Sequence, residues 1–410
     1  SMVFFRMAQG VFGAAIVPLS QTFLLDINPR EKHGQAMAIW GAGIMVGPII
    51  GPTLGGYLTE TLNWRWVFFI NLPLGIIALA GLAAYLPQMP RRVRLFDFVG
   101  FAALGLGVGA LQLMLDRGGE VDWFNSVEIW IELAISLCGF WVFVIWIMGV
   151  EHPFLDPKMF ADRNFTTGLV LIFIVGIVLL ASLALLPPML SALFGYPVIT
   201  TGMVMAPRGV GTMIMMIAAG KLLRVVDARK LVITGLLFTS WSLYIMTGFG
   251  PQMNAVPIIV SGFIQGLGLG LVFVPLSTVA FATIAPQFRG DATALFSLVR
   301  NIGSSIGISV VTLLLTRNTQ ISHTELVANI SLYDPNFSGM MSGAAGAMAQ
   351  SMTAQYGEGA FWSVVNQIVT AQAAMVAYVD DFEALMWITL AALPLALLLR
   401  RPVAAAPGVS

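Results

Sequence analysis

The sequence predicts an all-α, polytopic membrane protein, and three observations carry the prediction. Apolar residues make up 58% of the 410 residues and charged ones only 10%, where a soluble domain carries about 25% charged residues. Mean hydropathy is +0.88. Apolar runs of about twenty residues, long enough to cross a bilayer as helices, alternate along the chain with short polar breaks.

The same composition excludes other classes. Lysine plus arginine balances aspartate plus glutamate at 20 each, with no basic patch, so nucleic acid is not an expected partner. The lone Cys138 sits in an apolar run and has no partner for an internal disulfide. No secretory signal opens the chain. It starts at Ser1-Met2 inside an apolar segment, which reads as an N-terminally incomplete protein.

Taken in order, about eleven transmembrane helices are predicted, over 2–25, 35–58, 65–86, 98–115, 127–150, 165–190, 198–219, 230–250, 255–284, 291–316 and 382–399. In the second, Gly43, Gly47, Gly51 and Gly55 recur every four residues, with Pro48 and Pro52 beside two of them. On a helix this spacing makes one glycine stripe that lets another backbone come close. Each internal proline would cost about 3 kcal/mol in water; in a bilayer, neighbouring helices re-satisfy the freed carbonyls. The stripe is read as a tight packing face, and the prolines in register with it point to a bent helix lining a moving interface. Asp97 is read as the cap of the 98–115 helix, and Asp380 with Glu383 as the cap of the last.

Basic residues set the orientation. Arg30, Lys32, Arg91, Arg92, Arg94, Lys158, Arg163, Lys221, Arg224, Arg229, Lys230, Arg289, Arg400 and Arg401 fall on one side, and only Arg65, Arg117 and Arg317 on the other. The first side is therefore cytoplasmic and the N-terminus faces outward. The segment 317–379 is then external, and its Ala/Met/Gln-rich part, Ala344 to Tyr378, is read as a helical stretch lying on the surface.

An internal repeat organises the whole. Gln9-Gly10, Pro18-Leu19-Ser20 and Pro29 return in the same order and near-equal spacing as Gln265-Gly266, Pro275-Leu276-Ser277 and Pro286. Each second proline precedes a short basic loop with a glycine, Lys32 and Gly34 in one copy, Arg289 and Gly290 in the other. Both copies run outside to inside, so the halves are parallel repeats about an axis normal to the membrane. The expected domains are 1–97, the three-helix remnant of an N-terminal bundle; 98–164, two inserted linker helices; and 165–410, a six-helix C-terminal bundle with the external loop 317–379. On this count three helices are missing from the front.

At this point several motifs can be compared with a family. Arg6-x-x-Gln9-Gly10 resembles the fourth-helix motif, and Gly47-Pro48-x-x-Gly51-Pro52-x-x-Gly55-Gly56 the fifth-helix antiporter motif, of the fourteen-helix drug:proton antiporters of the major facilitator superfamily (the EmrB/QacA type). The run Asn63-Trp64-Arg65-Trp66-Val67-Phe68-Phe69-Ile70-Asn71-Leu72-Pro73 resembles the opening of their sixth helix. Gly220-x-Leu222 with Asp227-x-Arg229-Lys230 is similar to a degraded second-half copy of the cytoplasmic loop motif that braces adjacent helices. The resemblance implies a major facilitator fold and a secondary active transporter of the cell membrane. It would export lipophilic drugs and toxic compounds in exchange for protons, by alternating access. No cofactor is implied. The implied partners are a small lipophilic substrate, protons, the bilayer and, where the source has two membranes, a periplasmic adaptor with an outer-membrane channel. The family's first-helix acid would lie in the missing part. The alternatives are an exporter of one metabolite, siderophore or lipid intermediate, or an inactive truncated fragment.

Three arginines, Arg6, Arg208 and Arg300, fall inside predicted spans, where each costs about 2.5–3.5 kcal/mol on insertion scales and needs an interior partner. No deep carboxylate is found to match them. Asp97 and Asp291 sit at cytoplasmic helix ends, Glu128 and Glu132 near an external one. Arg6 is read as tuning the proton affinity of a carboxylate, with Gln9 and Gly10 beside it, or as a structural arginine on helix carbonyls. Arg208, between Pro207 and Gly209, is read as lining a cavity or as bonding backbone freed by the proline, and Arg300 likewise lines a cavity or bonds backbone. Gly220, Asp227, Arg229 and Lys230 form the cytoplasmic loop brace. The 22 methionines and 27 phenylalanines would suit varied lipophilic guests, though most are packing or lipid-facing residues.

An enzyme is not expected. Gly303-Ser304-Ser305-Ile306-Gly307 fits a nucleophile-elbow pattern, but it lies inside a helix and no histidine accompanies it. His33, His152 and His323 all fall in predicted loops, no cluster has metal-ligand spacing, and Gly220-Lys221 is followed by Leu222 rather than by the Ser or Thr of an ATP-binding loop.

Overall fold

The computed structural model describes residues 2–86, 96–151, 153–328 and 358–400. Arg91, Arg92, Arg94, Arg401, His152 and the 329–357 part of the predicted external segment lie outside the described residues. Within them the chain is helical, with short 3-10 turns and no strand. Among the described residues, ten segments are long and apolar enough to cross a membrane.

Prolines set several of the breaks. The first predicted span is α1 (Met2–Ala14) and α2 (Ile16–Ile27), interrupted at Ala15. Pro18 lies four residues after Ala14, and its ring collides with that carbonyl in an unbroken helix. The same geometry operates at Pro73: α4 (Trp66–Phe69) stops at Phe69 and α5 (Asn71–Tyr85) resumes. Between them, α3 (His33–Thr61) runs unbroken.

Polar caps start the helices that follow. Asp97 caps α6 (Phe98–Arg117) by accepting from Gly100 N, and Ser126 caps α7 (Val127–Gly149) through Glu128 N. Asp162 caps α8 (Arg163–Ala192) through Phe165 N. Next come α9 (Val198–Leu222), α10 (Ala228–Thr247), α11 (Val256–Ala282) and α12 (Arg289–Ala328). The two repeat copies share local geometry. α2 leads through a 3-10 turn, Arg30–Lys32, into α3, and α11 leads through Pro286–Phe288 into α12.

Asp97 does more than cap. Its oxygens also accept from Phe154 N at 3.0 Å and Trp146 Nε1 at 2.9 Å, tying the start of α6 to the far end of α7. Burial by itself raises this carboxyl, but the hydrogen bonds from Gly100, Phe154 and Trp146 outweigh it and hold Asp97 below the usual 3.8. A depressed acid adds stability above its unfolded value, and that stability is lost as pH falls through the folded one. Asp97→Ala is expected to lower the melting temperature at neutral pH, through a stability loss of about 0.5–2 kcal/mol for the cap alone. The gap to wild type should close near and below pH 3.8; a thermal melt in detergent at several pH values checks both statements.

The C-terminal helices are joined backbone to backbone. A Cβ on Gly176 of α8 would strike the carbonyl oxygen of Arg300 on α12, and one on Gly303 would strike that of Phe173. Ser304 Oγ donates to Gly176 O at 3.2 Å in the same seam. The Gly303–Gly307 stretch is thus a helix-packing contact of the small-residue kind. α11 meets α9 in the same way, through Gly266 against the Arg208 carbonyl. The α6–α7 pair packs glycine on glycine (Gly107 and Gly139) and docks on α12, where Ser309 Oγ donates to Leu115 O at 2.7 Å.

The end of the chain corrects two expectations. α13 (Glu358–Ala391) is one continuous helix, so Asp380 and Glu383 lie inside it and start nothing. The part of Ala344–Tyr378 from Glu358 onward belongs to this helix rather than to a separate surface stretch. α13 lies along α12, with His323 Nε2 at 2.9 Å from Asn366 Oδ1. Just beyond the end of α10, Phe249 packs on Phe382 of α13, ring centroids 5.9 Å apart. After the short α14 (Leu393–Ala396) the chain is pinned to the start of α8 by Arg400 N donating to Asn164 Oδ1 at 2.8 Å. The span predicted over 382–399 is therefore the second part of α13 plus α14. It is not among the ten apolar segments, because Asp380, Asp381 and Glu383 fall within the helix.

Candidate functional site

α3 lies antiparallel along α9, and this seam joins the first helices to the C-terminal bundle. Here small residues meet flexible side chains. A Cβ on Gly34 would stand 2.9 Å from Leu223 Cδ1, one on Gly41 2.7 Å from Met216 Sδ, and one on Gly56 3.2 Å from Val198 Cγ1. Gly209 of α9 faces Ile49 and Gly220 faces Ala38. The predicted stripe of Gly43, Gly47, Gly51 and Gly55 looks elsewhere: nothing among the described residues comes within 4 Å of a Cβ on any of them. Of the antiporter motif, Gly56 is the glycine in the seam. Pro48 and Pro52 lie in the unbroken α3 beside the open stripe.

At one end the same helices are latched by polar contacts. Arg289 of α12 reaches Asp26 at 2.8 Å and the Leu25 carbonyl at 3.3 Å, and the hydroxyls of Thr22 and Thr293 are 2.7 Å apart. Arg224 donates to Gln35 Oε1 at 2.6 Å. A groove of about 460 Å³ opens here, with Gly220, Asp227, Arg229 and Arg400 in its walls. Asp227 acts as the N-cap of α10, accepting from the Arg229 backbone N–H at 3.0 Å, so the predicted loop brace works on this side as a helix start. Lys230 is exposed. Arg224, Arg229 and Arg400 of the predicted cytoplasmic set thus gather at one groove.

A cavity of about 170 Å³ sits inside, between α3, α8, α9, α11 and α12. Trp40 and Phe273 stack across it with centroids 6.0 Å apart. Met45, Met205 and Met216 and several leucines complete apolar walls, and methionine suits guests of varied shape. Both predicted cavity arginines line it. Arg208 is 5% exposed; its Nη2 donates at 3.0 Å to Leu179 O and at 3.0 Å to Ser182 Oγ. Those acceptors are on α8, so Arg208 does not cap backbone freed by its neighbour Pro207. Its Nη1 has no partner among the described residues. Gln265, 0% exposed, approaches Ser182 Oγ at 3.5 Å. Arg300 lies over the Phe273 ring, 5.9 Å from its centroid. No carboxylate stands among the described residues of the lining.

Arg6, Gln9 and Gly10 lie apart from this cavity on an exposed face of α1. Arg6 Nη1 donates to Gln9 Oε1 at 3.0 Å, and its guanidinium sits 4.7 Å from the Phe68 ring centroid. Among the described residues no carboxylate pairs with it. Sequence reasoning missed two features. Trp40 was not singled out, although an indole in an apolar helix signals a wall. Asp381 was passed over in favour of its neighbours. It is 0% exposed, with both carboxylate oxygens unpartnered among the described residues, which corrects the expectation of no buried carboxylate. Its signal was legible: Ala377, Tyr378, Asp381 and Leu385 share one buried helical face.

Comparison with known proteins agrees with this architecture. The family model described as Major Facilitator Superfamily matches residues 1–308. The Multidrug export protein EmrB of Escherichia coli (strain K12) is 33% identical over 347 residues, covering 83% of this chain and 67% of that protein. The Fatty acid resistance protein FarB of Neisseria gonorrhoeae is 34% identical over 336 residues, covering 81% and 66%. Multidrug resistance protein 3 of Bacillus subtilis (strain 168) is 27% identical over 353 residues, covering 86% and 67%. The chain thus spans about two thirds of the length of each of these relatives. With helices fit to cross a bilayer from end to end and an apolar cavity at the meeting of two helix groups, this is a multi-pass transporter of the cell membrane rather than an enzyme. The chain belongs to the major facilitator superfamily, in its drug:proton antiporter branch.

Proposed function

We propose that the protein exports lipophilic compounds in exchange for protons, and that its cavity favours those bearing an acidic group. One observation carries the cargo reading: two arginines, one with an unpartnered Nη1, face an apolar cavity whose described lining holds no carboxylate. Burying a guanidinium is costly unless an anion or hydrogen-bond acceptor meets it, and a lipophilic acid would supply both the anion and the apolar body. The name of one relative, the Fatty acid resistance protein FarB, supports the same class.

Alternating access arises from movement of residues 1–97 against 165–410 about the cavity, with 98–164 travelling on α12. The α3–α9 seam supports this division, because opposite Gly34, Gly41 and Gly209 its contacts are side chains, Leu223, Met216 and Ile49, that can re-pack. In inside-out vesicles holding the intact protein, a pH gradient is expected to drive uptake of lipophilic acids faster than uptake of cations of similar size. Faster cation uptake would overturn the cargo reading. Saturation by one compound alone would favour the exporter of a single metabolite. The adaptor and outer-membrane channel stay a proposal of the family resemblance, with 317–379 as the docking face. Deleting 329–357 is expected to abolish co-purification of an adaptor while leaving vesicle uptake unchanged.

A further inference from the structure

Asp381 occupies the end of the C-terminal bundle opposite the basic groove. Its helix neighbours Tyr378, Phe382 and Leu385 belong to one apolar cluster with Leu243, Met246 and Phe249 from α10 and its end, and with Val311 of α12. The residue is 0% exposed and neither carboxylate oxygen has a hydrogen-bond partner among the described residues. No cation on the packing helices is in a position to answer it. α8 beyond Arg163 and the whole of α11 carry no ionisable side chain, and α12 carries none between Arg300 and Arg317. α10 offers only Tyr244 between Lys230 and its end, and that tyrosine is exposed. On α9, Arg208 is turned toward Leu179 and Ser182. On α13 itself the near groups are Tyr378, Asp380 and Glu383, none of them cationic; the two acids are exposed.

A charged carboxylate in such a place would have lost its water and gained nothing in exchange. The neutral acid is the form that this packing can hold. We propose that Asp381 is a proton-binding site of the transporter, filled while the apolar cluster at this end is closed and emptied when the cluster opens to water. The proton comes from bulk water at the exposed Asp380 edge of the helix and returns there. Filling forms one O–H bond on the carboxylate, and emptying breaks it. Nothing else in the bundle has to change its covalent state.

The site is separable from the exporter reading, because its tests do not involve transport. A group that holds its proton more tightly folded than unfolded adds stability that is full at low pH and fades as pH rises. In nanodiscs, the melting temperature of the intact wild-type protein is expected to fall with rising pH more steeply than that of Asp381→Asn. The carboxamide is neutral and of nearly the same shape, so the variant is expected to fold and to be the more stable of the two at the alkaline end. Parallel curves would overturn the proposal. Infrared spectroscopy gives a second readout. The wild type is expected to show the carbonyl stretch of a protonated carboxyl at neutral pH, missing in Asp381→Asn and moved but retained in Asp381→Glu. A wild-type spectrum without that band would overturn it even if the asparagine variant fails to fold. Failure of either test leaves the cargo preference standing, and failure of the vesicle panel leaves the proton site standing.

Discussion

Gly266→Leu is expected to prevent the protein from folding. A Cβ at this position would strike the carbonyl oxygen of Arg208 and stand 2.9 Å from Thr212 N. Both belong to the backbone of α9, and the Arg208 carbonyl also accepts from Thr212 Oγ1 at 2.9 Å. No side chain lies between the helices to swing aside, so α9 and α11 would have to separate. Overpacking in a well-packed core costs about 1–3 kcal/mol even where side chains can shift, and a whole isobutyl group against backbone should meet or exceed the upper end. Folded proteins hold only about 5–15 kcal/mol in reserve. Size-exclusion chromatography after mild solubilisation should show the monodisperse peak lost. Gly51→Leu is the control, since nothing among the described residues lies within 4 Å of its Cβ; that peak should persist. If the two variants behave alike, the backbone-contact account of the bundle is wrong.

The second large effect is expected from Arg208→Met, and it should fall on transport and spare the fold. The side chain gives up its bonds to Leu179 O and Ser182 Oγ. Neither acceptor is stranded, because Ser182 Oγ itself donates to Val178 O at 2.7 Å and Leu179 O lies within α8. A buried charge is exchanged for an apolar chain of similar length, a change that is often neutral or stabilising. Melting temperature should therefore hold or rise. Uptake of lipophilic acids should drop by about ten- to a hundredfold, the equivalent of a charge-assisted hydrogen bond of about 1.5–3 kcal/mol, while neutral compounds are affected less. Arg208→Lys keeps the charge without the planar fork and is expected to fall between. Equal loss for acidic and neutral compounds would count against anion recognition by Arg208.

Much of the fold was legible in the sequence. Asp97 at the head of an apolar run announced the start of α6, and hydropathy placed α7 within a residue of its ends. The repeat of Pro29 and Pro286 marked matching turns into α3 and α12. Other features were hidden for physical reasons. Hydropathy averages over a window, so three carboxylates near residue 381 dilute the signal of α13 and disguise a continuous helix as a cap. Glycine spacing shows which positions are small but not which side of the helix is covered. The four-residue stripe on α3 was conspicuous, yet Gly34, Gly41 and Gly56, less regular in spacing, make the contact with α9. The two cavity arginines were found because a charge in an apolar run needs a reason. That Arg208 crosses to α8 could not be read from its neighbours Pro207 and Gly209, since the acceptors lie far away in the chain.

The contrast between the two kinds of glycine contact has a consequence for how variants will sort. Where α8 meets α12, and where α9 meets α11, main chain touches main chain, so neither pair has a soft layer and each must travel as one stiff unit. More give lies along α3, where the side chains of Leu223, Met216, Ile49 and Val198 stand opposite the glycines. Lesions at those backbone contacts should therefore be silent until they are fatal, whereas lesions along α3 should grade smoothly into faster or slower turnover of an intact protein.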